Sequence, residues 1–121
     1  GKRIAIFGWA FKANTNDSRE SAAIYVAEEL YKAGAILEIY DPMVQKETIF
    51  RDINFCWNTN SNTIQQIRIN IIKSRPPLNT VDAVAILTEW DEFKYFDFEN
   101  LVVFDGRNIL KKSIKTHQIG R

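Results

Sequence analysis

Apolar residues form several short, almost uninterrupted runs along the chain, and each run predicts a strand. A strand that is covered on both faces of a parallel sheet reads as a near-continuous apolar segment, because neither face meets water. Asp41 and Pro42 end the second run, since proline cannot extend the hydrogen-bonded ladder. The runs occupy residues 3–8, 36–40, 81–87 and 101–104, and a further short one lies at residues 53–57.

Segments with helical spacing separate the runs. Asp17 is a favourable N-cap after the first run, and Glu20, three residues later, can complete a capping box. Apolar side chains then recur at helical spacing up to Gly34, which supplies a left-handed stop. Further helices are predicted over residues 45–51, 61–73 and part of 91–99.

The order of these elements predicts the fold class. Strands that alternate with helices form a parallel sheet with right-handed crossovers. We therefore predict an α/β fold, a Rossmann-like doubly wound parallel sheet with helices on both faces. A length of 121 residues is typical of a single domain. The last clear strand in the sequence is the one at residues 101–104.

Composition and charge narrow the classes of function. The formal net charge is +1, so no bulk field favours nucleic acid or a membrane surface. One cysteine and one histidine argue against an internal disulfide and against a zinc site, so we expect no metal. Without a membrane-length apolar stretch or a signal peptide, we expect a cytoplasmic protein. Because the sequence begins with Gly1 and not with methionine, we expect a domain excised from a longer chain.

Polar and charged side chains follow the predicted strands on one edge of the sheet. Ligands of open parallel sheets bind at the carboxyl ends of the strands, where the strand order reverses. Phe11 and Lys12 follow the first strand, and Arg107 follows the last. Taken alone, Lys12 is typical of a solvent-exposed loop, Arg107 follows Asp-Gly in what is first a turn, and Phe11 is typical of partly buried packing. A lysine and an arginine that converge beside a helix N-terminus would nevertheless form an anion site.

Two further features qualify this anion site. Arg19 lies in the first turn of the predicted helix, where the helix dipole disfavours a cation. Either Asp17 and Glu20 offset that cost, or the position is functional, and both interpretations stay open. Gly8 is the only glycine in the first loop, so the G-x-G-x-x-G pattern that binds a dinucleotide pyrophosphate is absent.

The first loop resembles a known motif. Residues 8–21, GWAFKANTNDSRES, are similar to the segment G-x-A-F-K-x-x-T-x-D-x-R-E-S, which opens the C-terminal domain in the UDP-glucose/GDP-mannose dehydrogenase family. Further similarities follow in the family's order and extend over nearly the whole chain. They are the segments YDP at residues 40–42, TEW at residues 88–90 and FDGR at residues 104–107.

This resemblance implies a division of labour between domains. In the family, an N-terminal domain binds NAD, a central helical segment follows, and a C-terminal domain, here residues 1–121, binds the UDP part of the substrate. The complete enzyme oxidises UDP-glucose to UDP-glucuronate with two NAD and is a homo-oligomer. The cysteine that forms the thioester intermediate lies outside this domain, so no catalytic residue is expected here and the fragment alone would be inactive.

The resemblance also implies roles for four side chains. Phe11 and Lys12 would contact the nucleotide sugar, and Arg107 would lie near its diphosphate or its sugar. Arg19 would reach toward NAD at the domain interface. Trp9 departs from the family pattern, in which a smaller residue is more common.

Other parts of the chain leave alternatives open. Residues 43–80 show little similarity to the family, so Cys56, which lies among them, is not assigned as the nucleophile. The hexose and the base of the nucleotide are also undecided. The alternative function is a stand-alone module for nucleotide-sugar binding or for oligomerisation, without dehydrogenase activity.

Overall fold

The computed structural model describes residues 2–11, 14–15, 17–18, 21–57, 68–72, 80–95, 98, 101–107 and 116–118. Within these residues the chain forms six strands, two α-helices and one five-residue 3₁₀ helix at Asp91–Tyr95. The strands are β1 (Arg3–Phe7), β2 (Ile36–Tyr40), β3 (Ile69–Ile72), β4 (Ala83–Ile86), β5 (Val102–Asp105) and β6 (Thr116–Gln118), and the helices are α1 (Ala22–Lys32) and α2 (Lys46–Cys56).

The six strands form one parallel sheet in the order β3-β2-β1-β4-β5-β6. The chain runs outward from β1 to β3 and then crosses back to β4 on the other side of β1, so the strand order reverses between β1 and β4. Phe7, the last residue of β1, lies opposite Tyr40 on one side and Ile86 on the other. The predicted Rossmann-like parallel sheet is confirmed.

The core centres on β1 and on the face of the sheet that α1 covers. Ala5, Ile6 and Phe7 are all fully buried. Ala23 and Ala27 on α1 are fully buried as well, and their small side chains let the helix lie close to the sheet. Burial of a side chain as large as Ile6 contributes about 1.5–3 kcal/mol to folding.

Helix α1 begins later than the sequence predicts. Its N-cap is Ser21, whose hydroxyl accepts a hydrogen bond from the backbone N–H of Ala23 at 3.2 Å. Asp17 therefore does not cap the helix. Its carbonyl instead accepts the backbone N–H of Phe11 at 2.6 Å, which closes the loop after β1. Gly34, with φ +99°, follows α1 as predicted.

Helix α2 replaces two predicted elements. It covers Lys46–Cys56, so the predicted helix at residues 45–51 is too short and the strand predicted at residues 53–57 is wrong. Ile49, Asp52 and Ile53 are all buried, and this i, i+3, i+4 spacing places them on one face of a helix but on both faces of a strand. Trp57, just after α2, donates its indole N–H to the carbonyl of Ile24 at 2.9 Å and fixes α2 beside α1.

Two edge strands also differ from the predictions. Residues 69–72 form β3 and not the end of a helix, because Ile69 and Ile71 lie opposite Leu37 and Ile39 of β2 and extend the sheet. The rest of the predicted helix, at residues 61–67, lies outside the described residues. Strand β6 pairs with β5. Its sequence contains no apolar run, so it was not predicted.

Candidate functional site

The candidate site lies at the carboxyl edge of the sheet, beside the reversal of strand order. Ligands of open α/β sheets bind in the crevice that this reversal creates. Strands β1 and β5 both border β4, so the loops that follow them leave the sheet only about 10 Å apart. Phe11 lies on the first of these loops with 48% of its surface exposed, and Arg107 is exposed on the last.

Gly8 lets the loops after β1 and β4 approach each other. Its φ is +103°, in the left-handed region that favours glycine. A Cβ added at Gly8 would lie 2.5 Å from the side chain of Thr88, closer than packing allows. The Thr88 hydroxyl also donates a hydrogen bond to the carbonyl of Ala10 at 2.7 Å, so it holds the first loop in place.

Asp41 connects three loops of the site. It follows β2, its side chain is buried, and its carboxylate accepts five hydrogen bonds from the loops after β1, β2 and β4. Hydrogen bonds to a carboxylate are among the stronger ones in proteins, so this residue fixes the shape of the edge. The donors are the backbone N–H groups of Trp9, Ala10, Met43 and Val44 and the indole N–H of Trp90, at 2.8 to 3.0 Å.

Trp9 points away from the candidate site. Its side chain is fully buried, and its indole N–H donates to the Asp52 carboxylate at 2.9 Å. The Ser18 hydroxyl donates to the same oxygen at 2.5 Å. The departure of Trp9 from the family pattern therefore concerns packing beneath the loop, and Phe11 is the aromatic side chain of this loop that faces solvent.

An aromatic cluster fastens the 3₁₀ helix over the ends of β1 and β2. Phe7 packs against Phe93 with ring centroids 5.1 Å apart and the rings tilted by 30°, and it meets Tyr40 edge-on at 5.9 Å. The Tyr40 hydroxyl donates a hydrogen bond to the Glu92 carboxylate at 2.7 Å. These contacts hold the segment after Trp90 in one position relative to the site.

Arg107 forms an ion pair with Glu89. Its Nε–H donates to the Glu89 carboxylate at 2.9 Å, and Nη2 contacts the same oxygen. Its backbone N–H also donates to the side chain of Asp105 at 3.2 Å. About a third of each paired side chain is exposed, 37% for Arg107 and 32% for Glu89, so solvent and solutes reach the pair.

The structure locates two of the four side chains to which the sequence assigns roles. Phe11 and Arg107 lie on loops at the same edge, on either side of β4. Lys12 and Arg19 lie outside the described residues, so the convergence of Lys12 with Arg107 and the reach of Arg19 toward NAD stay predictions. Sequence reasoning did not identify the bridging role of Asp41 or the pairing of Glu89, because both depend on the strand order.

Cys56 shows no sign of a reactive thiol. Burial raises the pKa of its side chain above the ordinary value, and the carboxylates of Asp52 and Glu28 raise it further. A raised pKa lowers the thiolate fraction, and the thiolate is the nucleophilic form. Cys56 therefore lacks the lowered pKa that is typical of a nucleophilic cysteine.

Within the described part of the chain, no group of three or more His, Cys, Asp or Glu side chains is arranged to hold a metal ion. No described helix has the length and apolar character needed to cross a membrane. A cavity of about 610 Å³ lies near the carboxyl ends of β2 and β3, next to the candidate site, and is lined by residues 41–47, 71 and 72.

The fold and the site together define a Rossmann-like ligand-binding domain, with the ligand edge at the β1/β4 reversal. Comparison with known sequences identifies the family to which this ligand-binding domain belongs. Residues 5–112 match the UDP-binding domain of the UDP-glucose/GDP-mannose dehydrogenase family, and the chain belongs to that family. The resemblance in the four sequence motifs is thereby confirmed.

Curated relatives agree with this assignment. The chain is 41% identical over 130 residues to UDP-glucose 6-dehydrogenase of Drosophila melanogaster, a match that covers 98% of this chain and 27% of the relative. It is 40% identical over 140 residues to UDP-glucose 6-dehydrogenase 1 of Arabidopsis thaliana, covering 99% of this chain and 28% of the relative. The chain thus spans about a quarter of the length of these relatives.

Solved structures share the fold. A UDP-glucose dehydrogenase from the archaeon Pyrobaculum islandicum superposes with a TM-score of 0.70 and 28% identity, over 98% of this chain and 24% of that one. A UDP-D-ManNAc dehydrogenase from Pyrococcus horikoshii gives a TM-score of 0.67 at 24% identity, over 99% of this chain and 26% of that one. The similarity to the Pyrococcus horikoshii structure shows only that the two chains share a fold.

Proposed function

We propose that residues 1–121 are the nucleotide-sugar-binding C-terminal domain of an NAD-dependent UDP-glucose 6-dehydrogenase. The complete enzyme would oxidise UDP-glucose to UDP-glucuronate with two NAD, and this domain alone would bind the nucleotide sugar without catalysing its oxidation. The observation that carries the proposal is the placement of Phe11 and Arg107 on loops that flank β4, at the ligand edge of the sheet. The family and the relatives support the same function.

The side chains of this edge suit a nucleotide diphosphate. Arg107, together with Lys12, would neutralise the two negative charges of the diphosphate with charge-assisted hydrogen bonds. Phe11 would offer an exposed aromatic surface to the uncharged part of the ligand. Asp41 acts indirectly, since it holds the loops that carry or adjoin these groups. Fixing the sugar in this way would lower the entropic part of the barrier to oxidation.

The loop after β1 does not fit a dinucleotide in the usual Rossmann manner. Its one glycine, Gly8, faces Thr88 and serves the approach of two loops of the protein. We therefore assign NAD mainly to the N-terminal domain of the complete enzyme, with Arg19 reaching toward it. The cofactor would accept the hydride, and the thiol nucleophile would also come from outside this domain.

The remaining partners follow from the same proposal. The domain would adjoin the N-terminal NAD-binding domain and the central helical domain of its own polypeptide. The complete enzyme would be a cytoplasmic homo-oligomer. A stand-alone module for binding or oligomerisation is the alternative, but the relatives that match are named as dehydrogenases and do not favour it.

Isothermal titration calorimetry of this chain with UDP-glucose tests the binding function. Arg107→Ala and Lys12→Ala should each weaken binding by about tenfold, because each removes a cation from the diphosphate. Lys32→Ala is the matched control. It removes the same charge at the far end of α1 and should leave the affinity unchanged. Equal affinities in all four proteins would contradict the proposed site.

A further inference from the structure

The ion pair between Arg107 and Glu89 joins the loops after two neighbouring strands. Glu89 comes three residues after the end of β4, and Arg107 comes two residues after the end of β5. The Arg107 guanidinium uses its Nε and Nη2 groups, both directed at one oxygen of Glu89. Arginine side chains also bind phosphate oxygens through their Nε and Nη2 groups.

The backbone beneath the pair is held by the sheet. Ile86 lies opposite Asp105 in the parallel register, and the backbone N–H of Gly106 donates to the Ile86 carbonyl at 2.9 Å. The side chain of fully buried Asp105 then accepts the backbone N–H of Arg107. Since both loops start from fixed positions, the two side chains meet with less loss of conformational freedom than a pair on mobile loops.

We propose that Glu89 is an internal competitor for the nucleotide diphosphate. The Glu89 carboxylate occupies the Arg107 guanidinium in the unliganded domain, and the diphosphate binds by taking its place. This proposal rests on the proposed function, because it needs Arg107 to contact the diphosphate. In this proposal, Glu89 sets the affinity of the Arg107 site for the diphosphate.

Charge is the physical reason for the competition. While Glu89 is paired with Arg107, an approaching diphosphate meets a pair with no net charge and so gains little attraction from it. When the diphosphate has taken the guanidinium, Glu89 remains nearby as a like charge. Both effects weaken binding. The competition therefore lowers the affinity of the ligand without blocking its access, which also favours its release.

Removal of the Glu89 charge should consequently strengthen binding. Glu89→Gln keeps the length of the side chain and an oxygen that can accept the Arg107 Nε–H, but it removes the negative charge. Because the pair is partly exposed and screened, we expect UDP to bind about three- to tenfold more tightly. Calorimetric titration of this chain with UDP at low ionic strength measures the change.

Asp91→Asn provides a matched control. Asp91 lies two residues after Glu89, its side chain is 77% exposed, and its partner is Lys94 and not Arg107. The substitution changes the net charge by the same amount near the same edge, so it should alter UDP affinity by less than about twofold. An equal gain in both variants would show a general charge effect and overturn the competition.

A double-substitution cycle with Arg107→Ala tests whether the competition acts through Arg107. If Glu89 competes for the guanidinium, most of the gain from Glu89→Gln should disappear when Arg107 is already alanine. Thermal unfolding verifies that each variant is folded, and Glu89→Ala replaces the glutamine variant if that one is not. A gain of the same size in both backgrounds would contradict the proposal.

The remaining outcomes separate this proposal from the function on which it rests. If UDP binds and Arg107→Ala weakens it, but Glu89→Gln binds no more tightly, the competition is wrong and the nucleotide-binding function stands. If neither the unsubstituted chain nor any variant binds UDP, both are contradicted. Tighter binding of Glu89→Gln that depends on Arg107 supports both.

Discussion

The indole N–H of Trp90 donates a hydrogen bond to the carboxylate of Asp41 at 3.0 Å, although the two residues are 49 positions apart in sequence. They follow β4 and β2, which lie on opposite sides of β1, so the bond spans the central strand of the sheet. The same carboxylate oxygen accepts the backbone N–H groups of Trp9 and Ala10 on the loop after β1. The shape of the ligand edge thus depends on one buried side chain.

Asp41→Asn should destabilise the domain. One carboxylate oxygen accepts three hydrogen bonds and the other accepts two, so an amide nitrogen in either place would face two or more donors. A buried donor without an acceptor costs about 1–3 kcal/mol, and we expect a loss of about 2–4 kcal/mol in the free energy of unfolding. Urea denaturation measures it.

The control for that substitution is Asp91→Asn. Its side chain is 77% exposed, so the same chemical change there should alter the free energy of unfolding by less than about 0.5 kcal/mol. If Asp41→Asn lowered the free energy of unfolding by no more than this control, the carboxylate would not hold the three loops together.

Gly8→Ala should cost more stability than Gly34→Ala. The two glycines have similar backbone angles, φ +103° and +99°, so alanine meets a similar backbone strain at both positions, about 1–2 kcal/mol. At Gly8 the new Cβ would also lie 2.5 Å from Thr88, whereas at Gly34 no atom of the described residues, apart from the chain neighbours, lies within 4 Å. We expect a total loss of roughly 3–5 kcal/mol at Gly8.

Thermal and urea unfolding of the two alanine variants provide the comparison. Because the backbone angles are matched, the difference between the variants reports the close approach of the loops after β1 and β4. Equal losses would mean that these loops do not touch at Gly8.

The Cys56 thiol should react slowly with iodoacetamide in the folded protein. Burial raises its pKa, so its thiolate should appear at higher pH than the thiolate of the same chain unfolded in urea. The pH dependence of the alkylation rate, followed by mass spectrometry, gives both midpoints. A folded-state midpoint at or below the unfolded one would contradict the assignment of Cys56 as a partly buried, unreactive thiol.

The same pKa shift has a consequence for stability. The folded-state pKa of Cys56 is raised, so the thiol form is favoured by folding. Its contribution is fully present below the unfolded pKa and is lost as the pH rises through the folded pKa. Cys56→Ser, which does not titrate in this range, should reduce the loss of stability at alkaline pH.

The strands between the two edges of the sheet could be predicted from sequence because each lies in a near-continuous apolar run, even β5, where Val102 and Phe104 remain exposed. The apolar runs at residues 3–8, 36–40, 81–87 and 101–104 correspond to β1, β2, β4 and β5. The edge strands could not be predicted in this way. The isoleucines near residue 70 also fit helical spacing, and what selects β3 is pairing of Ile69 and Ile71 with β2, which local sequence does not reveal.

The position of the candidate site could be predicted from sequence, but the contacts between its side chains could not. Residues that follow parallel strands fall on one edge of the sheet, which placed Phe11 and Arg107 there. The pairing of Arg107 with Glu89 needs β4 and β5 to be neighbours, and the strand order is a property of the tertiary fold. For the same reason, the sequence identified Asp41 only as the end of the second strand and as part of the YDP motif.

A nuclear magnetic resonance titration of this chain with UDP-glucose would locate the ligand on the domain. We expect backbone amide shifts to concentrate in the loops after β1, β4 and β5, at residues 8–11, 88–90 and 106–107. Shifts confined to the neighbouring cavity at residues 42–47 and 71–72, with none at Phe11 or Arg107, would contradict the proposed site.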